Sequence, residues 1–363
     1  MPIYFSMIVV VFIVYVLHLF TAAKHKLASN TGASAAEVIL IFGYIIFWTG
    51  IRNSFADTSA YIRTFQAASW YDLYNLDFTP GSPWGFVILQ ILFKTVISSN
   101  YHAWLMFLAV ISGACVAVTF KKYSTNFFYT VFMFLTLTTF TWMMNGIRQF
   151  LAVSILFACT PWLIDRKMWK YCFAVVLCST IHATCIIMLP IYFMVNSKPW
   201  RTKTLIIILG VILVFAFTEK FTGLLDRLLA DTTYSDSVSH FAGDDGVNPL
   251  RVIVYSVPTF LAFLGRKILS RYDDQCVDVF VNLSIFTSLL YAIGMATSGI
   301  LMGRLPIYTQ MYQYILMPYV INKCFTKESA KLLYGMSFIG YMGYFYLMAN
   351  NMYYSSELTG FIS

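Results

Sequence analysis

Charge is what this sequence has least of. Lys and Arg together number 24 and Asp and Glu 16 among 363 residues, 11% of the chain, whereas a soluble domain carries about 25%. With 59% hydrophobic residues and a mean hydropathy of +0.72, that scarcity excludes a water-soluble globular protein. Strands of alternating polarity are missing too, so the backbone bonds that lipid cannot satisfy are met inside helices rather than in a closed barrel. Glycine-rich phosphate loops and Asp-x-Asp pairs do not occur, which removes the usual signs of a nucleotide or metal site and leaves no cofactor to expect. The seven cysteines are scattered, with Cys115, Cys159, Cys172, Cys178 and Cys185 inside apolar runs and none at metal-ligand spacing. Neither a disulfide nor zinc is expected. No basic stretch precedes the first apolar run, residues 3–22, and no clear cleavage pattern marks it; it reads as a retained first helix rather than a signal peptide.

What the chain does have is apolar runs almost end to end, and a bilayer core needs about 20 such residues per spanning helix. Helices are predicted near 3–22, 36–51, 84–97, 101–120, 124–143, 147–164, 170–196, 202–218, 250–268, 276–298, 305–322 and 330–349. The fold class is therefore all-α: a polytopic integral membrane protein with about 10–13 membrane helices, short broken or re-entrant ones included. The net charge of +8 would suggest nucleic acid in a soluble protein, but here it sits in short clusters between apolar runs. These are Lys24/Lys26, Lys121/Lys122, Arg166/Lys167/Lys170, Lys198/Arg201/Lys203, Arg266/Lys267/Arg271 and Lys323/Lys327/Lys331, and the positive-inside rule puts them all in the cytoplasm. The N-terminus and the polar stretches 52–82 and 219–249 then lie outside; the second stretch is acidic and long enough to act as a lid. On this topology 84–97, with its Lys94, is too short for a full crossing, and 170–196 must consist of two short helices meeting near Thr180 to Thr184. No internal repeat or soluble module is visible, so residues 1–363 read as a single membrane domain.

Ionisable residues that the basic clusters do not explain are functional candidates, because charge near lipid is costly. Arg52 with Asp57, Arg148, His182 and Arg304 all fall at the outer boundary on this topology. Arginine's planar fork suits phosphate or pyrophosphate, and three arginines could hold one. Each could also simply snorkel or pair with Asp57. Asn145, Arg148 and Gln149 in Asn-Gly-Ile-Arg-Gln make a polar break between apolar helices, more than a mere connector needs. Asp57 reads either as a helix cap or as a carboxylate that takes a proton from an acceptor hydroxyl. His182 reads as a core imidazole at a helix break or as that base. Trp70, Tyr71 and Tyr74 read first as interfacial anchors and second as a sugar-stacking surface.

Arg52, Asp57-Thr58 and Tyr61, then Asn145-Gly-Ile-Arg148-Gln149-Phe-Leu-Ala152, then Ile181-His182-Ala-Thr-Cys-Ile-Ile-Met-Leu-Pro190, in that order and spacing, resemble the EpsG-like branch of Wzy-type polysaccharide polymerases. The resemblance implies a GT-C-like, metal-independent lipid-donor glycosyltransferase in a bacterial inner membrane, with its active site facing the periplasm or cell exterior. Such an enzyme joins undecaprenyl-pyrophosphate-linked oligosaccharide repeat units into O-antigen or a related polysaccharide and releases undecaprenyl pyrophosphate. A flippase and a chain-length regulator are its implied partner proteins. Carried over residue by residue, Asp57, His182 and Arg148 are the expected catalytic groups, and Arg52, Tyr61, Asn145 and Gln149, with Arg304 from the charge argument, the expected substrate-binding ones. One departure stands: the acidic residue that family members often carry before the third segment is absent from Thr79-Pro-Gly-Ser-Pro83-Trp84. Rival readings are a flippase or transporter of the same lipid-linked sugar, which would place cations along a path through the membrane, an O-antigen ligase, and a membrane acyltransferase with His182 as its catalytic histidine.

Overall fold

Helix starts in this chain are marked by polar side chains that the surrounding apolar sequence makes conspicuous. Ser34 and Glu37 form a reciprocal capping box at the head of α2, Ala35–Gly50. Asn100 opens α5, Tyr101–Tyr123, and Asn126 opens α6, Phe127–Thr136, each accepting a backbone N–H. The computed structural model describes residues 2–24, 32–79, 81–202, 204, 206, 208–210, 213, 246–299, 302–350 and 352–362. Most of the predicted 202–218 helix and of the 219–249 loop lie outside them. Almost everything described is helical, as an all-α membrane protein requires; the short antiparallel pair β1, Ser355–Ser356, and β2, Phe361–Ile362, is the sheet among the described residues. Four helices are long and apolar enough to cross a membrane, or five if one bent pair counts as a span, and several shorter apolar helices of 10–17 residues accompany them.

The chain divides into two units, one made of residues 1–77, 83–160 and 331–363 and the other of 78–82 and 161–330. In the first, α1, Pro2–Lys24, α2 and α5 form antiparallel neighbours. A Cβ on Gly50 would meet Met106, one on Gly113 would meet Ile46, and the rings of Phe42 and Phe120 lie 6.4 Å apart. The Arg52 end of α2 is therefore the end opposite Lys121 and Lys122, in accord with the charge-derived sidedness. At the other end His18 Nδ1 and Glu37 Oε1 meet at 2.9 Å, tying α1 to α2. A small amphipathic helix, α3, Thr58–Ala67, follows the Arg52 segment. It is supported by α4, Trp84–Leu92, which continues as one π-helical turn, Phe93–Ile97. Lys94 Nζ donates to Gln66 O and Ala68 O, both at 2.6 Å, so this membrane-edge lysine closes the carbonyl end of α3.

The predicted helix 124–143 is broken. α6 stops at Thr136, Thr138 takes a left-handed φ of 57°, and a 3-10 turn spans Thr139–Met143. Thr136 and Thr141 turn their hydroxyls onto nearby carbonyls, the local competition that makes threonine a poor helix interior residue. α7, Ile147–Ala158, and α8, Thr160–Ile164, then replace the predicted 147–164 helix.

In the second unit the predicted break in 170–196 is present. α9, Met168–Ser179, a 3-10 turn Ala183–Ile187 and α10, Met188–Val195, take its place. Both ends of this hairpin reach the start of α13, Gln275–Ala296. Gln275 Nε2 donates to Ile164 O at 2.5 Å, and Lys198 bridges Asp273 and Asp278. α11, Pro249–Leu264, turns through 67° into α12, Arg266–Tyr272. α11, α13 and α14, Ile307–Cys324, share a polar seam in which Thr259, Ser284, Ser288, Thr287, Thr309, Tyr291, Gln310 and Gln313 bond across helices, the glue of apolar bundles that have little hydrophobic drive to associate. α15, Lys327–Ala349, returns to the first unit, where Tyr129 and Ser337 join their hydroxyls at 2.6 Å.

The α2–α5 seam yields a contrast. A Cβ at Gly50 would stand 2.9 Å from the Met106 Cα, whereas at Gly43 nothing lies within 4 Å. Gly50→Val is expected to destabilise by about 1–3 kcal/mol, and Gly43→Ala to stabilise by up to about 1 kcal/mol; thermal unfolding of the purified protein checks both.

Candidate functional site

The site in the first unit is built where three chain reversals meet. α2 ends at Gly50, and Arg52 follows its cap. In apolar surroundings that guanidinium has to find oxygen: Nη1 turns back to Thr49 O, and Nε donates to Thr58 Oγ1 at 3.0 Å. Thr58 in turn donates to Phe55 O at 2.6 Å and reaches Met144 O at 3.4 Å. Arg52 is 1% exposed, so it presents no face to a ligand here. Expected as a substrate contact, it is buried here and braces the segment from within. Burial pulls its pKa down to about 10, with Tyr354 and Asp57 nearby acting in the other direction, and it stays protonated at neutral pH.

Asp57 occupies the N-cap position of α3, yet its side chain makes no capping bond. Oδ2 accepts the Gly146 N–H at 3.1 Å, across 89 residues of sequence. Of the two sequence readings, capping is thereby excluded in this structure. Ala56 before it holds a φ of 45°, and Gly146 a φ of 69°, so both partners of the bond sit in left-handed turns. Such a conformation costs a non-glycine residue about 1–2 kcal/mol and needs surrounding bonds to persist.

Gly146 starts α7, and Arg148 one residue later is half-buried. It lies close enough to Tyr61 to act on its hydroxyl, whose pKa is raised, chiefly by burial and also by the Asp57 charge, with Arg148 acting in the other direction. Arg148 Nε is buried with no acceptor. Asn145 is exposed on the same turn, whereas Gln149 is 3% exposed and packs inward. The structure therefore brings Arg52, Asp57, Tyr61, Asn145 and Arg148 together, with Gln149 behind them. Two guanidinium groups against one carboxylate leave the cluster with a positive excess, suited to an anion.

The cluster is recessed. Met143 Cε lies 3.3 Å from where a Cβ on Gly113 would stand, and Gly113 is roughly three helical turns from the Tyr101 start of α5. The reversal that carries Arg148 thus packs against α5, with Met143 beside Gly113. In such surroundings charge interactions are stronger than in water.

His182 and Arg304 belong to the second unit. His182 Nδ1 lies 2.8 Å from Thr184 Oγ1, which is 3.0 Å from Tyr308 OH. Arg304 is exposed at the end of a 3-10 turn, Met302–Arg304, just before α14. Both thus stand at the N-terminal end of α14. Thr184 was visible in sequence only as part of the break, and Tyr308 carried no signal at all.

Fold and site together define an all-α polytopic membrane protein with a recessed cationic cluster. The EpsG family matches residues 35–362, nearly the whole chain, and the protein belongs to that family. Membership supports a polysaccharide polymerase-like role of glycosyltransferase type. No curated protein and no solved structure matches the chain.

Gly146 tests the geometry. A Cβ there would come within 3.0 Å of the Trp142 ring besides holding a left-handed φ. Gly146→Ala is expected to destabilise by about 1–2 kcal/mol and to cut polymer formation about tenfold by shifting Arg148, measured as unfolding temperature and product yield at matched membrane levels.

Proposed function

We propose that this protein polymerises undecaprenyl-pyrophosphate-linked oligosaccharide repeat units on the outer face of a bacterial inner membrane, as a GT-C-like lipid-donor glycosyltransferase that needs no metal. The observation that carries this reading is Arg148: a half-buried guanidinium on a turn tied to Asp57, in a recessed cluster with excess positive charge. A diphosphate leaving group gathers negative charge as its bond to the anomeric carbon breaks, and a pre-set arginine fork stabilises that charge with little reorganisation.

In the proposed step the acceptor hydroxyl oxygen of a fresh repeat unit bonds to the anomeric carbon of the growing chain. The carbon–oxygen bond to the lipid diphosphate breaks, and undecaprenyl pyrophosphate leaves with the bonding pair. The hydroxyl proton passes to Asp57. A carboxylate held near the reacting centre is enough of a base for this step, where the leaving group is good and the sugar carries positive charge in the transition state. Tyr61 orients Arg148, and Asn145 is placed to contact sugar or phosphate oxygen. His182 and Arg304 remain candidates in the second unit, His182 as an alternative base and Arg304 as a phosphate contact. The membrane itself, a flippase and a chain-length regulator are the partners this role requires.

The test is a deletion strain complemented with wild type, Arg148→Lys or Arg148→Ala at matched membrane levels, with surface polysaccharide resolved as a ladder. Deletion and Arg148→Ala are expected to leave single repeat units, and Arg148→Lys to reduce long chains at least about tenfold, because charge remains but the fork is lost. Full chains with Arg148→Lys remove the bidentate role. Long chains in the deletion remove the polymerase, and absence of any attached unit points to a flippase or ligase.

A further inference from the structure

The last described residues do not extend a membrane helix; they fold back onto the site. β1 and β2 pair antiparallel through a turn with Gly360 at a φ of 66°, and β1 also joins the chain that follows α2. Asn53 N donates to Ser355 O at 2.8 Å, and Ser355 N to Ser54 O at 3.1 Å. α2 ends without the left-handed glycine that commonly closes a helix, so its last carbonyls need other partners. The tail supplies two. Tyr354 OH donates to Trp48 O at 2.6 Å, and Ser356 Oγ to Ile51 O at 2.8 Å. Glu357 N adds a bond to Asn53 Oδ1 at 2.7 Å. Tyr354 and Ser356 are each 1% exposed. The Tyr354 ring sits among Tyr4, Trp48 and Phe361, and the strap's backbone bonds to Asn53 and Ser54 fall immediately after Arg52.

We infer that residues 354–357 are a positioning strap: they cap α2, fix Arg52 in orientation, and through Arg52 and Thr58 hold the Asp57 and Met144 reversals in place. Tyr354 and Ser356 are thus positioning residues that act through Arg52 and do not touch substrate. Tyr354 is held by ring packing as well as by its hydroxyl, so Tyr354→Phe removes the bond to Trp48 while keeping the ring. The strap's effect on turnover rests on the function proposed above; its hold on Arg52 does not.

The full-length protein in membranes, as wild type, as Tyr354→Phe/Ser356→Ala, and with a stop after residue 351, is treated with an arginine-specific dicarbonyl, and labelling is read by mass spectrometry. Exposed Arg63 serves as the internal reference. Labelling of Arg52 is expected to rise at least about fivefold in the double variant, which removes two ordinary hydrogen bonds each worth about that factor, and further in the truncated chain, with Arg63 unchanged and polymer yield reduced. Unchanged Arg52 labelling in both variants overturns the strap. Raised labelling with undiminished polymer upholds the strap and removes Arg52 from the proposed machinery.

Discussion

The bond from the Gly146 backbone N–H to the Asp57 carboxylate joins the loop after α2 to the reversal between α6 and α7. Everything charged in the first unit is arranged around it. Arg52 is held on one side through Thr58, and Arg148 is presented on the other by the turn that Gly146 opens. The bond also accounts for the left-handed residues at both of its ends, conformations that persist only where surrounding contacts over-determine them. A carboxylate placed this way neutralises one of two guanidinium groups and leaves the cluster one positive charge in excess.

Much of this was legible in the sequence, because an apolar chain makes polar residues expensive and hence conspicuous. Arg52, Asp57, Arg148 and the Asn145 to Gln149 break stood out on that ground alone. The broken 170–196 segment followed from charge clusters at both its ends. What stayed hidden depends on long-range geometry. That Arg52 is buried while Arg148 is half-exposed follows from Thr49 and Thr58 converging on one guanidinium, and no local pattern encodes that. The support that α5 gives the Arg148 turn follows from Met143 packing against Gly113, a relation between residues thirty positions apart. Helix continuity was over-read at Thr138, where a run of threonines diverts the backbone, and at Gly265, where α11 bends sharply into α12.

The tail was the least legible part. Tyr354, Ser355 and Ser356 have no periodicity and no charge, and their partners are carbonyls some three hundred residues earlier. Lys94 is a milder case. Sequence flagged it as a lysine at the end of a short helix, and its task proves to be closing α3, the helix that carries Thr58 and Tyr61. Polar residues at the edges of this fold therefore fall into two groups. Lys94, Tyr354 and Ser356 satisfy helix ends and so build the recess, whereas Arg148 and Asn145 retain surface within it.

The central claim is that the Arg148 turn is a diphosphate site, and ligand-induced stabilisation tests it directly. Purified protein is unfolded thermally with and without a short-chain polyprenyl diphosphate, beside Arg148→Ala. A ligand at 100 times its dissociation constant stabilises by about 2.7 kcal/mol, so the account predicts a clear rise in unfolding temperature for the wild type and little or none for Arg148→Ala. Equal stabilisation of the two proteins would contradict it.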